Sequence, residues 1–292
     1  MTRLAADGRA RFGAALLCAA VLAALLAPLI TTIAPAVQRD VVATRFLPPL
    51  AHDLHGVLHP LGTDRLGRDV WARLAYGARI SLGVGSLAVL ISTVLGVLVG
   101  TVAGTWQGRL GALLLAVTDF ALALPRVVLL LLLAALWRPS AALVVVVLGV
   151  TGWMSVARLV HGEARLAASR PFAESARALG ASRLRLLRHH VLPNALTPAI
   201  VGAALGFGNA ILLEAGLSFL GVGVQPPAPS WGSMIASGRD TLVNAPWVAA
   251  APGIALVLVV VAATLLGDAL HDALDPARSD VRGETGAALS GS

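Results

Sequence analysis

The sequence predicts an all-α integral membrane protein of six transmembrane helices, and three observations carry that expectation. Of 292 residues, 57% are apolar and only 13% are charged, with a mean hydropathy of +0.83. A soluble domain has about 25% charged residues, so this chain lacks the polar side chains to cover a water-facing surface. Six apolar runs each approach or exceed the roughly 20 residues that cross a hydrocarbon core as a helix. None alternates in polarity over about ten residues, as a strand of a membrane barrel does. A spanning segment must satisfy its backbone internally, which leaves helices. An ordinary soluble enzyme and a disordered chain are excluded, and the 30 Gly and 16 Pro are too scattered for a collagen or low-complexity repeat.

The first span is placed at Phe12–Ile33. Arg3, Arg9 and Arg11 precede it and Ala34-Pro35-Ala36 follows, an arrangement close to a signal peptide with its cleavage site. The apolar part runs about 20 residues, however, where a signal core has 7–15, so an uncleaved helix is expected. Cys18, the only cysteine, lies inside it. No intrachain disulfide can form, and the thiol is expected to be a small buried hydrophobe.

The remaining spans are placed at Ile80–Gly104, Leu110–Leu136, Ser140–Ala157, Ala195–Val222 and Pro246–Gly267. Six spans put both termini on one side. With that side cytoplasmic, thirteen Arg lie inside and eight outside, and Arg126 is intramembrane. The bias follows the positive-inside rule, and most of it comes from the seven Arg between Arg158 and Arg188. All 22 basic residues are Arg and fall mainly between apolar runs, where topology and anionic headgroups account for them, so nucleic acid is not an expected partner. The predicted organisation is a cytoplasmic tail (1–11), the first helix (12–33), an outer loop (34–79), a five-helix core (80–270) and a cytoplasmic C-terminal tail (271–292). Within the core lies a long inner loop, 158–194. Loops beyond about 15 residues are usually functional or disordered, which marks these two loops for attention.

Gly96, Gly100 and Gly104 share one face of the second span, and Gly202 and Gly206 repeat the spacing in the fifth. Small residues four apart let helices approach closely in lipid. Asp119 and Arg126 fall within the third span and Glu214 within the fifth. A charge in hydrocarbon costs at least about 2.5–3.5 kcal/mol, so each is a candidate for a translocation path or for internal pairing. Asp119 and Arg126 share a face, but seven residues separate them by about 10 Å along the axis. Pro125 between them is expected to kink the helix. No histidine falls inside a predicted span, which argues against an intramembrane hydrolase or a proton relay. His52, His55 and His59 have helix-like spacing and raise a weak metal reading at the outer loop, against solvated side chains as the ordinary alternative.

The inner loop reads helix, break, helix. Pro171 suits a first helical position and Glu174 the positive first turn. Gly180 permits the left-handed residue that ends a helix. Ser182 then caps a second helix with Leu184, Leu187 and Val191 on one face and Arg185, Arg188 and His189 opposite, and Pro193 is expected to stop it before the next span. An amphipathic helix on anionic lipid explains the arginines but not the Glu–Gly–Pro spacing.

That spacing identifies a family. Glu174-Ser175-Ala176-x-x-x-Gly180, followed by Val191-Leu192-Pro193, resembles the EAA loop of permeases in ATP-binding-cassette (ABC) importers, with Ser175 in place of the usual second Ala. His59-Pro-Leu-Gly-Thr-Asp-Arg-Leu-Gly-Arg-Asp69 and Tyr76-Gly-Ala-Arg-Ile-Ser-Leu82 resemble the outer-loop signature of the dipeptide/oligopeptide/nickel permeases. Glu214-Ala-Gly-Leu-Ser-Phe-Leu-Gly-Val-Gly-Val-Gln-Pro-Pro-Ala-Pro-Ser-Trp-Gly232 and Gly267-Asp-Ala-Leu-His-Asp-Ala-Leu-Asp-Pro276 match the same family. These ordered motifs cover nearly all of the chain after residue 59 and look like the C-type member of a two-permease pair.

The resemblance implies a type I ABC importer permease fold in a bacterial inner or plasma membrane, with no catalytic residue of its own. It implies four partners besides membrane lipid: a B-type sister permease, two ABC ATPase subunits and an extracytoplasmic substrate-binding protein. The chain has no Gly-x-x-x-x-Gly-Lys-Ser/Thr loop and binds no cofactor by this expectation, so ATP and Mg2+ belong to the ATPases. Glu174, Ser175, Ala176, Gly180, Leu192 and Pro193 are carried over as the ATPase-coupling residues. Asp64, Arg68, Asp69, Gln225 and Trp231 are candidates for contact with the binding protein or sister subunit. Pro226, Pro227 and Pro229 are expected to hold the second of these loops extended. Di- or oligopeptide is the implied cargo, with nickel, glutathione or another small solute as the alternative. A secondary transporter is a distant rival, because no internal repeat is apparent.

Overall fold

The computed structural model describes residues 7–38, 40–106 and 108–274. Arg3, Arg39, Arg278, Arg282, the last two residues of the fourth motif and all of the C-terminal tail after residue 274 lie outside the described residues.

Nine helices of eight or more residues make up the described chain: α1 Gly8–Leu25, α2 Val70–Thr105, α3 Arg109–Ala123, α4 Arg126–Leu136, α5 Ala141–Ser169, α6 Pro171–Ala178, α7 Leu192–Phe219, α8 Trp231–Gly238 and α9 Trp247–Leu274. A two-residue antiparallel pair, β1 Ala51–His52 and β2 Leu58–His59, lies between α1 and α2. Five segments are long and apolar enough to cross a membrane, and the α3–α4 pair, bent by 85°, makes a sixth if counted as one span.

The bent pair must be one traverse. Gly96 lies against Val156, Gly100 against Ala157 and Val160, and Gly104 against Ala164, so α2 and α5 run parallel. A chain leaving α2 has to recross before it can enter α5, and α3–α4 makes that crossing. The break at Leu124–Pro125 is sharper than the expected kink. Pro125 disfavours helical backbone at Leu124, which is extended, and α4 restarts at Arg126.

The glycine face of α2 behaves as predicted: a Cβ on Gly100 would fall 2.5 Å from the Ala157 carbonyl oxygen. The Gly202/Gly206 pair does so only in part: a Cβ on Gly202 would come 3.3 Å from Leu159 Cδ2 on α5. A Cβ on Gly206 would meet nothing within 4 Å, so this glycine opens space instead of closing a seam.

Most helix limits move outward from the hydropathy limits. Asp69 starts α2 ten residues early, its Oδ1 accepting from the Ala72 amide at 2.6 Å. The α5 helix continues twelve residues past Ala157 before Arg170 turns extended ahead of Pro171. α1 instead stops at Leu25, followed by a single turn that contains Pro28. Cys18 is exposed, because it lies on the face of α1 that points away from the bundle.

The two ends of the bundle carry different material. Trp71 Nε1 donates to the Ile30 oxygen, Arg79 reaches the Ala24 and Leu25 oxygens, and Trp247 Nε1 donates to the Thr63 oxygen. The 31–69 loop and the starts of α2 and α9 therefore gather at one end. Arg9 lies 3.7 Å from Asp272, which brings the start of α1 and the finish of α9 together at the other end. The finish of α2, which meets α5 at Ala164 just ahead of α6, lies at that end too.

Candidate functional site

At the α6 end, the chain builds a short helix tethered on one side. Pro171 occupies the first helical position and Glu174 the first turn. The helix closes in a Schellman arrangement: the Ala181 amide donates to the Ala176 oxygen at 3.0 Å, the Gly180 amide to the Arg177 oxygen at 2.9 Å, and Gly180 has φ +84°. One face packs inward, where fully buried Ala173 meets Ala164, Ala168, Leu186 and Val191. Arg177 ties the helix to α5 by donating to the Ala168 oxygen at 2.8 Å, and Phe172 lies against His190.

The other face is open. Glu174, Ser175 and Gly180 are exposed and Ala176 is half-buried. Leu179, at the tip, is 89% exposed and Leu184 beside it is 55% exposed. Sequence reasoning missed Leu179, whose signal is a large aliphatic side chain immediately before the helix-ending glycine.

Two local expectations fail here. The inward face of the second helix is Leu186, Leu187 and Val191, and Leu184 points outward. Pro193 does not stop that helix. The turn Arg183–Leu186 passes through a π-helical turn, Leu187–Val191, directly into α7. The wider turn shifts the hydrogen-bond ladder where Pro193 has no N–H to give, so the helix continues. Leu192 and Pro193 are thus the start of α7.

At the opposite end, most of the predicted contact residues face inward. Asp64 is 2% exposed, accepting from the Arg68 Nε at 2.8 Å and from the Leu66 and Arg68 amides, with Arg73 Nε 3.6 Å away. Asp69 caps α2 through Oδ1 and holds His59 Nδ1 at 2.6 Å through Oδ2. Trp231 is 2% exposed, and its indole donates to the Leu74 oxygen. These side chains organise the loop and do not form its outer surface, a correction that follows from their burial. Gln225 alone of the five is exposed, folded back onto the Gly221 and Gly223 oxygens, and the loop turns at Pro226 instead of running extended.

The histidine trio does not converge. His59 is buried toward Asp69, whereas His52 is exposed on β1, and no group of three metal-ligating side chains occurs among the described residues. Burial opposes ionisation of the Asp53 carboxyl, but the amides of Val57 and His55, with His59 and His55 alongside, outweigh it and hold the group below its usual value.

The three intramembrane charges part ways. Glu214 is fully buried and accepts from Ser81 and Ser218 hydroxyls, each at 2.8 Å, while Ser81 accepts from the Trp231 amide. It joins α2, α7 and α8. Asp119 pairs with Arg158 at 2.9 Å on the exposed face, not with Arg126. Arg126 reaches a cavity of about 130 Å³ among α2, α4, α5 and α7, and its Nε is buried without a partner. Of the three, only Arg126 meets open space inside the bundle.

Residues 96–280 match the family described as binding-protein-dependent transport system inner membrane component. The di/tripeptide transport system permease protein DppC of Pseudomonas aeruginosa is 41% identical over 257 residues, 88% of this chain and 84% of that protein. The glutathione transport system permease protein GsiD of Pectobacterium atrosepticum is 38% identical over 218 residues, 75% of this chain and 72% of that one. Among solved structures, an inward-facing MetNI methionine ABC transporter aligns with a TM-score of 0.58 at 21% identity, over 70% of this chain and 96% of that chain. That likeness carries the fold.

Proposed function

The chain belongs to the family of binding-protein-dependent transport system inner membrane components, and we propose that it forms half of the pore of an ATP-driven peptide importer. It is a multi-pass permease and not itself an enzyme. The other half is a B-type sister permease. Two ABC ATPase subunits, which hold the ATP and Mg2+, dock at the α6 end, and an extracytoplasmic binding protein delivers cargo at the 31–69 loop end. Both termini share the ATPase side, the cytoplasm. The cargo is a di- or oligopeptide, as in the name of the DppC relative. Glutathione is the second reading, supported by the GsiD relative.

The observation that carries this function is the open face of α6. Glu174 and Leu179 project from a helix that is anchored to the bundle only along its inner side and ends on a left-handed glycine. An ATPase groove that receives this face would move α6 as a unit when nucleotide closes the dimer. Ala173 and the Arg177 tether would pass the push to α5, and the π-turn to α7.

The test is affinity purification of the tagged chain from its native membrane in mild detergent, with mass spectrometry of everything retained. A second permease together with one or two P-loop ATPases is expected. Recovery of the chain alone, across several detergents and with crosslinking, would overturn the assembly and favour a secondary transporter. A captured binding protein, screened against dipeptides and glutathione, decides between the two cargoes.

A further inference from the structure

The cavity at Arg126 is a partly open recess at mid-height of the bundle, and Arg126 itself is half-buried. It is lined by Ser92 and Thr93 from the middle of α2, Ser155 from α5 and Asn209 from α7, with Arg126 at the start of α4. At about 130 Å³ it far exceeds the roughly 10–15 Å³ that one water needs. Two buried polar atoms on its wall have no hydrogen-bond partner, Arg126 Nε and Thr93 Oγ1. Buried polar groups are nearly always paired, so two orphans on one wall mark a place that something polar fills.

The sign of that occupant follows from the lining. No Asp or Glu borders the cavity, and Arg126 forms no ion pair among the described residues. The nearest intramembrane acid in sequence, Asp119, is already paired with Arg158. Gly152 and Gly206 supply the room. A Cβ on Gly152 would come within 3.4 Å of Arg126 Nη2, and one on Gly206 would enter open space. A guanidinium presents a planar fork of donors that suits a carboxylate.

We propose that this cavity is a waypoint of translocation in which Arg126, aided by the Thr93 hydroxyl, receives a carboxylate of the passing cargo. This rests on the peptide-importer reading, since a peptide carries such a group at its C-terminus. The site is a holding point for an anion and requires no chemistry on it.

The test uses the complex purified with its partners, in a Cys18→Ser background carrying Ser155→Cys as a reporter inside the cavity. Modification of that thiol by a sulfonate-bearing methanethiosulfonate should exceed modification by its trimethylammonium counterpart by about tenfold, relative to a free thiol. Arg126→Gln should bring the ratio near one, while Arg126→Lys keeps most of it. Millimolar dialanine should slow modification, and dialanine amide should not. A ratio unchanged by Arg126→Gln, or equal protection by the amide, overturns the proposal.

Uptake of labelled dialanine by the reconstituted wild-type complex separates the two readings. Uptake with an Arg126-independent ratio overturns the anion site alone. No uptake, with an Arg126-dependent ratio and protection by glutarate, overturns the peptide cargo alone.

Discussion

The two ends of this bundle handle charge in opposite ways. At the 31–69 loop end, Asp64, Arg68, Asp69, Arg73 and His59 are all under 10% exposed and joined to one another by hydrogen bonds or ion pairs, with Arg73 Nη1 and His59 Nε2 left without a hydrogen-bond partner. At the α6 end, Glu174, Arg170 and Arg183 stand in the open, and the helix is held by one apolar cluster, the Phe172–His190 contact and one arginine tether. Breaking a buried network leaves uncompensated charge, which penalises any rearrangement of the loop end. An exposed helix with few buried contacts costs little to shift. By these contacts the loop end is the costlier part of the bundle to rearrange and the α6 end the cheaper one.

That contrast can be broken or sharpened by substitution. The largest effect should come from Asp64→Ala, which strands the buried Arg68 and Arg73 guanidiniums at a cost of about 3–5 kcal/mol. Thermal unfolding of the purified complex reads it, and an unchanged Tm would break the contrast. Next comes the seam that ties the ends together. Gly100→Ala should cost about 1–3 kcal/mol by forcing α2 from α5, whereas Gly206→Ala, with nothing near its Cβ, should leave Tm unchanged or raised.

Gly180→Val should lower Tm only modestly but stop transport. A Cβ there meets nothing within 4 Å, so the cost is the left-handed backbone itself, about 1–2 kcal/mol, and it falls on the turn that orients α6. Normal transport with full ATPase stimulation in that variant would sink the idea of α6 as a rigid transmitter. Gly162→Ala, helical and equally unobstructed, is the control and should transport normally.

Asp119→Asn should cost under about 1 kcal/mol, because its pair with Arg158 is largely exposed. A large loss of transport would place Asp119 on the path after all. The smallest effect belongs to Asp53. Its folded carboxyl is held below the usual value, so its contribution to loop stability is present above about 3.8 and disappears as pH falls through the lowered folded value. Asp53→Asn should lower Tm slightly at neutral pH and match the wild type in strong acid.

The spans and the α6 turn were legible because their causes are local. Apolar length, a Pro at a helix start, a Gly at its end and a Ser cap act through neighbours in the chain. The misjudged residues fail for the reverse reason. Asp64, Arg68, Asp69 and Trp231 look like surface contact residues one by one, and only the folded loop turns them inward. Pro193 carries a stop signal that the preceding π-turn absorbs. Gly100 and Gly206 share a spacing pattern, yet one abuts α5 and the other borders a void.

By itself, the sequence determined that this chain crosses a membrane about six times and where its long inner loop breaks into two helices, because hydropathy, backbone restriction and capping are properties of adjacent residues. Only the tertiary structure decided which intramembrane charge meets empty space. Glu214, Asp119 and Arg126 are equally costly on paper. The hydroxyls of Ser81 and Ser218 satisfy the first and Arg158 pairs the second, while Arg126 is left facing a cavity that four helices leave between them.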